Sequence, residues 1–155
     1  MKVENIAALL GAQFGEKIIE SKLDSLNPWS VVSPPAILDV CRFLNADDRL
    51  LFDHLELLGG VDFKDRIEVV YILYSMTFRH RYTLKCYLPR ENPVVPSVTS
   101  VWRAADWHER ETYDMFGVVF SGHGDLRRIL CPDDWEGYPL RKDYKFPDRY
   151  GNMPV

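Results

Sequence analysis

The chain has 155 residues, a formal net charge of −4, 46% hydrophobic residues and 27% charged residues. That is the size and balance of one globular domain able to bury its own core. A mildly acidic chain with mixed charges offers no electrostatic basis for a nucleic-acid partner.

Three cysteines, Cys41, Cys86 and Cys131, are widely spaced. An odd, scattered set argues for a reducing compartment and against a disulfide framework. No CxxC or Cys/His cluster appears, which speaks against zinc or iron–sulfur ligation by this chain. The N-terminal stretch is too short and polar for a signal peptide or membrane span, so the chain reads as soluble.

In chain order, Val3, Ile6, Leu9, Leu10 and Phe14 have helical spacing, which predicts a helix over 3–14. Short strands are expected over 16–23 and 29–33. Ser33-Pro34-Pro35 is a helix-start signal, and Ile37, Val40, Cys41 and Leu44 make one stripe of a helix over 35–45. Leu51, Leu55 and Leu57 alternate with polar residues and suggest a strand ended by Gly59-Gly60. IEVVYILYSM (67–76) is apolar on both faces, as in a central strand buried on two sides. Residues 81–88 alternate cleanly and pair with it as an antiparallel hairpin. PRENPVVP then reads as a loop, because proline cannot continue a central strand.

Residues 98–116 return to helical spacing, with Ser97 or Thr99 as a cap. From about 117 regular periodicity disappears. Residues 131–155 hold four prolines and five aromatics. Such prolines forbid a helix or paired strand, and such aromatics are unusual for disorder. The expectation is an α+β domain over 1–130: a mostly antiparallel sheet of four or five strands with about three helices. An extended C-terminal docking arm over 131–155 follows.

The stretch ERETYDMFG (109–117) carries the functional question. On a helix, residues two apart point about 200° apart. Glu109 and Glu111 therefore cannot form an acid/base dyad. Glu109 shares a face with Trp102, Tyr113 and Phe116 and needs a partner there, because an unpaired buried carboxylate is costly. Arg127 and Arg128 are candidate partners. Arg110 lies four residues from both Asp106 and Asp114, the spacing of a same-face ion ladder. Covered by a partner, such a ladder would set register more than affinity.

Catalytic alternatives are weak. His108-Glu109 starts an HExxH pattern, but position 112 is Thr. His123 has no evident orienting partner for acid/base work, and Cys131 has no His to activate it. Two readings stay open on the residues alone: parts that hold something in place, or an ion-pair network satisfied within one domain. An enzyme using Glu109 or His123, and a free binding module using Arg141-Lys142, are the competing classes.

ERETYDMFGVVFSGHGDLRRIL (109–130) resembles the signature of the 30-kilodalton-type subunit of respiratory complex I, the proton-pumping NADH:quinone oxidoreductase. Glu109, Arg110, Glu111, Asp114, Met115, Phe116, His123, Arg127, Ile129 and Leu130 match it position by position. DDWEGYPLRKDY (133–144) is similar to the family as well, and more loosely so are 95–111 and 71–75. Gly124 stands where the family often has Pro, and Asp106 where it often has Asn.

The resemblance implies a non-catalytic subunit of the hydrophilic arm with no cofactor of its own. The complex carries iron–sulfur clusters, and FMN if NADH-linked. The implied partners are the nickel-hydrogenase-like subunit that forms the quinone pocket and the iron–sulfur subunits. The implied location is peripheral, on the cytoplasmic side of the inner (or thylakoid) membrane, with the membrane touched only through the complex. Related chains serve plastid and cyanobacterial complexes and some membrane-bound hydrogenases. Because the chain stops at Val155, it is expected to be a polypeptide separate from the hydrogenase-like subunit. The residues implied to be structural or interfacial are Glu109, Arg110, Glu111, Asp114, Phe116, His123, Arg127, Arg128, Pro139, Arg141, Lys142 and Asp143. The arm with GYPLRKDY would embrace the neighbour.

Overall fold

The computed structural model describes residues 2–151 and 153–154. Its frame is a five-stranded sheet in the order β1-β2-β5-β4-β3. The strands are β1 (Ile18–Lys22), β2 (Trp29–Val32), β3 (His54–Asp62), β4 (Arg66–Tyr74) and β5 (Arg81–Pro89). All junctions are antiparallel except β2 against β5. Among the described residues there are three α-helices: α1 (Val3–Phe14), α2 (Ile37–Ala46) and α3 (Ala105–Phe116). The expected α+β class and the β4–β5 hairpin are both present.

The helices lie on one face of the sheet. Ile6 and Leu10 of α1 and the Ile37, Val40, Cys41 and Leu44 stripe of α2 are fully buried with Ile67, Val69, Tyr71 and Leu73 of β4 and Leu84 and Cys86 of β5. Burial of each large aliphatic side chain contributes about 1.5–3 kcal/mol. Strand β4 is therefore not buried on both sides, contrary to what its composition suggests. Val70, Ile72 and Tyr74 on the far face are only half-buried. None of the three helices covers that face, and long charged side chains lie across its aromatics instead. Arg66 sits over Phe63 and Tyr87, and Lys85 over Trp29. Buried Glu68 accepts from Arg66 and lies 3.7 Å from Lys85.

Strand β3 begins later than expected and runs through Gly59-Gly60. The second glycine permits a close approach: a Cβ at Gly60 would lie 2.7 Å from the Phe116 ring. The third helix starts at Ala105, and neither Ser97 nor Thr99 caps it. Residues 97–104 form turns, with Trp102 Nε1 donating to the Phe52 carbonyl at 2.9 Å.

Regular structure also continues where the sequence pattern lapses. β6 (Val94–Pro96) pairs in parallel with β7 (Val119–Ser121), taking in the end of the proline loop and the stretch after α3. In the tail, β8 (Arg149–Tyr150) pairs with β9 (Met153–Pro154) across Gly151, at φ +56. The prolines there permit one short ladder because Pro154 lies at its end.

Candidate functional site

The signature residues are brought together by α3 and the segment that follows it. Helix α3 ends at Gly117, whose φ of +75 is the left-handed cap conformation. The chain turns back there, and the charged side chains of the helix fix its path.

Asp114 is the hub. Its side chain is fully buried. Its Oδ2 accepts three successive backbone amides, Ile129 at 3.0 Å, Leu130 at 2.7 Å and Cys131 at 2.9 Å. Its Oδ1 accepts Arg128 Nη1 at 2.7 Å, and Arg128 Nη2 donates to the Gly137 carbonyl at 2.9 Å. Burial pushes the Asp114 carboxyl up, but the amides and the guanidinium outweigh it and hold it below its ordinary value.

A second set of contacts continues along the arm. The Tyr138 ring lies against Gly117, where a Cβ would come within 2.5 Å of it. Arg128 and Arg141 flank that ring at 5.4 and 4.9 Å from its centroid. Arg141 Nε donates to the Phe116 carbonyl at 2.7 Å, and the Leu140 amide to the Met115 carbonyl at 3.1 Å. At the end of β3, buried Asp62 accepts the amides of Lys64 and Lys142, each at 2.8 Å. Arg90 bridges Asp62 to Asp143. Burial raises the Asp62 carboxyl, yet these donors win and hold it low. Residues 128–143 are thus fastened to the domain by a chain of charge-assisted bonds, the stronger class of hydrogen bond.

Glu109 has a different environment. It is fully buried, and its Oε1 accepts the Val98 amide at 2.7 Å. Its Oε2 has no hydrogen-bond partner, and His123 Nε2 lies 4.0 Å away. Burial pushes this carboxyl up to about 7, against the opposing pull of the Val98 amide and the Ser97 hydroxyl. The His123 side chain is buried as well. Its Nδ1 accepts the Asp125 amide, so Nε2 carries the proton and faces Asp106 Oδ1 at 3.2 Å.

Two sequence expectations are corrected by this geometry. Neither Arg127 nor Arg128 is the partner of Glu109: Arg128 serves Asp114, and Arg127 pairs at the surface with Asp125. The Asp106–Arg110–Asp114 ladder does not form. Asp106 turns to His123 and Asp114 to Arg128, while Arg110 Nε donates to the Arg127 carbonyl at 3.3 Å. Helical spacing puts the three on one face, but loop 121–131 offers the carboxylates stronger partners.

The other signature residues are spread out. Glu111 is exposed, Phe116 packs on Gly60, Pro139 is half-buried, and the Lys142 ammonium lies 5.9 Å over the Phe63 ring. Asp62 and Arg90 join the site without any sequence signal, because no local spacing links positions 62, 90 and 142. Among the described residues no cluster of His, Cys, Asp and Glu is arranged to hold a metal ion. No helix among them is long and apolar enough to cross a membrane.

Fold and site together define a small α+β protein in which Asp114 and Arg128, with Asp62 and Arg90, fasten the C-terminal segment to the domain. Residues 30–150 match the family model of the respiratory-chain NADH dehydrogenase 30 Kd subunit, and the chain belongs to that family. It is 46% identical over 146 residues to an NADH-quinone oxidoreductase subunit of Chloroherpeton thalassium, covering 92% of this chain and 61% of that one. The chain spans 58–66% of the length of the first relatives it matches. Among solved structures, the trypsin-resistant fragment (1-134) of Nqo5 is similar at a TM-score of 0.68 and 30% identity. That match covers 81% of this chain and 100% of the fragment. A chain of the membrane-bound sulfane sulfur reductase, an archaeal respiratory membrane complex, is similar at a TM-score of 0.78 and 26% identity. It covers 94% of this chain and 86% of that one.

Proposed function

We propose that this chain is a non-catalytic assembly subunit in the peripheral arm of a proton-translocating NADH:quinone oxidoreductase. It packs against the quinone-pocket, nickel-hydrogenase-like subunit, close to an iron–sulfur subunit, on the cytoplasmic side of the membrane. Residues 131–155 are its docking arm. The electron-carrying cofactors belong to the partners.

The observation that carries this reading is the double fastening of the arm, at Asp114 and at Asp62. Asp114 of the signature, with Arg128, Arg141, Asp62 and Arg90, is consumed by hydrogen bonds that steer the chain. Glu109, the carboxyl pushed up to about 7, is buried out of reach of a substrate. Fastening 128–143 presents the remaining arm at a fixed place, which lowers the ordering cost of binding. The arm beyond Asp143 exposes Phe146 at 63% and Met153 at 64%. Exposed apolar side chains on this short hairpin and the turn before it suit a partner's surface.

The test is limited trypsin digestion of the free chain and of the complex recovered with it. In the free chain, cleavage after Lys145 and Arg149 should precede cleavage after Arg141 and Lys142. In the complex all four should be protected. A chain ending at Tyr144 should fold and fail to join. Normal assembly of that truncated chain would overturn the docking role.

The match to the sulfane sulfur reductase favours a second reading, the equivalent subunit of a related ferredoxin- or hydrogenase-linked membrane complex. Mass spectrometry of the co-purifying subunits separates the two by the donor module recovered.

A further inference from the structure

A stripe of α3 away from the arm carries side chains that the fold itself does not use. Trp107 is 63% exposed, on a helix whose other large apolar side chains are covered. Arg110 stands over its ring, 5.0 Å from the centroid. Arg110 is only 7% exposed, and its Nε is anchored to the Arg127 carbonyl. The guanidinium is therefore held in one orientation rather than swinging in solvent.

No carboxylate among the described residues answers it. The acids around Arg110 are engaged elsewhere: Asp106 with His123, Asp114 with Arg128 and Asp125 with Arg127. Glu111 is next in sequence but points to another side of the helix, about 100° round. One turn before Trp107, exposed Arg103 takes part in none of the ion pairs among the described residues. The stripe Arg103–Trp107–Arg110 is thus cationic and apolar, within a chain whose net charge is −4.

A nearly buried arginine with no counter-ion is unfavourable in a free domain. A pre-oriented arginine beside an exposed tryptophan is also the composition of an interface hot spot. We infer that this stripe docks a segment of a partner subunit that places an aspartate or glutamate carboxylate on Arg110 and an apolar side chain on Trp107. The carboxylate accepts from the free Nη groups in the forked geometry that a guanidinium offers. The stripe is separate from the arm, so the partner is gripped at two places. Two linked contacts raise overall affinity well beyond either alone.

The inference rests on the assembly reading, and its test keeps the two apart. Full-length chain carrying the photoreactive residue p-benzoylphenylalanine in place of Trp107 is produced in its native membranes, irradiated, and purified with its complex. The expected crosslink joins position 107 to another subunit, at a segment with an Asp or Glu within a few residues. Separately, Trp107→Ala should lower the melting temperature of the free chain only slightly, by about the worth of one exposed cation–π contact. It should cut recovery of the complex about tenfold at raised salt, on the order of one lost hot-spot contact. Arg110→Lys should restore only part of what Arg110→Met loses, because the ammonium cannot make the fork.

Recovery of the complex with the label on this chain itself, on a second copy, on lipid, on a segment without acids, or on nothing overturns the inference and leaves the assembly role standing. Undiminished complex with Trp107→Ala overturns it too. Failure of the wild-type chain to bring any other subunit overturns both readings.

Discussion

Replacing Glu109 by glutamine tests the buried carboxyl directly. In the folded chain Glu109 titrates at about 7, raised from 4.5 chiefly by burial, with Asp106 adding to the rise. A raised acid binds its proton more tightly when folded than when unfolded. Stability therefore falls as pH climbs from the unfolded value through the folded one, and the loss is complete above it. A shift of this size corresponds to about 3 kcal/mol between the acidic and alkaline limits. Glutamine keeps an oxygen for the Val98 amide and cannot ionise. Urea unfolding of both proteins at about pH 4 and about pH 8.5 measures the difference. Glu109→Gln should match the wild type at the lower pH within roughly 0.5 kcal/mol and exceed it at the higher by about 3 kcal/mol. Equal differences at both pH values, or a variant less stable at the higher pH, would refute the argument. That outcome would mean His123, at 4.0 Å, already compensates the carboxylate.

Asp114→Asn should destabilise the fold by about 3 kcal/mol, since Arg128 loses its buried counter-charge, and denaturant midpoints will show it. The wild-type contribution of Asp114, whose folded carboxyl is held low, is present above the unfolded value and fades as pH falls through the folded one. The Asp114 share of the pH dependence should therefore be confined to the acid side and be absent from Asp114→Asn, where the shares of Asp62 and Glu109 remain. Gly117→Ala combines a left-handed backbone with a clash against Tyr138, and should cost about 1–3 kcal/mol. Because it lifts the Tyr138 ring, the same variant should make Arg141 and Lys142 newly accessible to trypsin. Arg90→Ala should speed tryptic cleavage near residue 142 and destabilise the fold by about 1–3 kcal/mol, because it severs the bridge between Asp62 and Asp143 and leaves buried Asp62 with its two amides alone.

What the sequence by itself determined is local or periodic. The stripe of α2 and the alternation of β5 dictate which side chains enter the core, because burial follows the period of the element. The signature from Glu109 to Leu130 and the GYPLRKDY stretch are enough to indicate the family, and the proline spacing after Cys131 marks where long regular elements stop. Tertiary structure alone decided the partners. Helical spacing makes Asp106, Arg110 and Asp114 look like a ladder, yet loop 121–131 lends His123, Arg128 and three amides to the two carboxylates and leaves Arg110 without an acid among the described residues. Composition makes β4 look buried on both faces, but all three described helices fall on one side. Asp62, Arg90 and Lys142 meet only because β3, β5 and the arm end at one corner of the fold. Such contacts cannot be read from spacing, because a charged side chain takes the strongest partner that folding delivers, and that partner can come from anywhere in the chain.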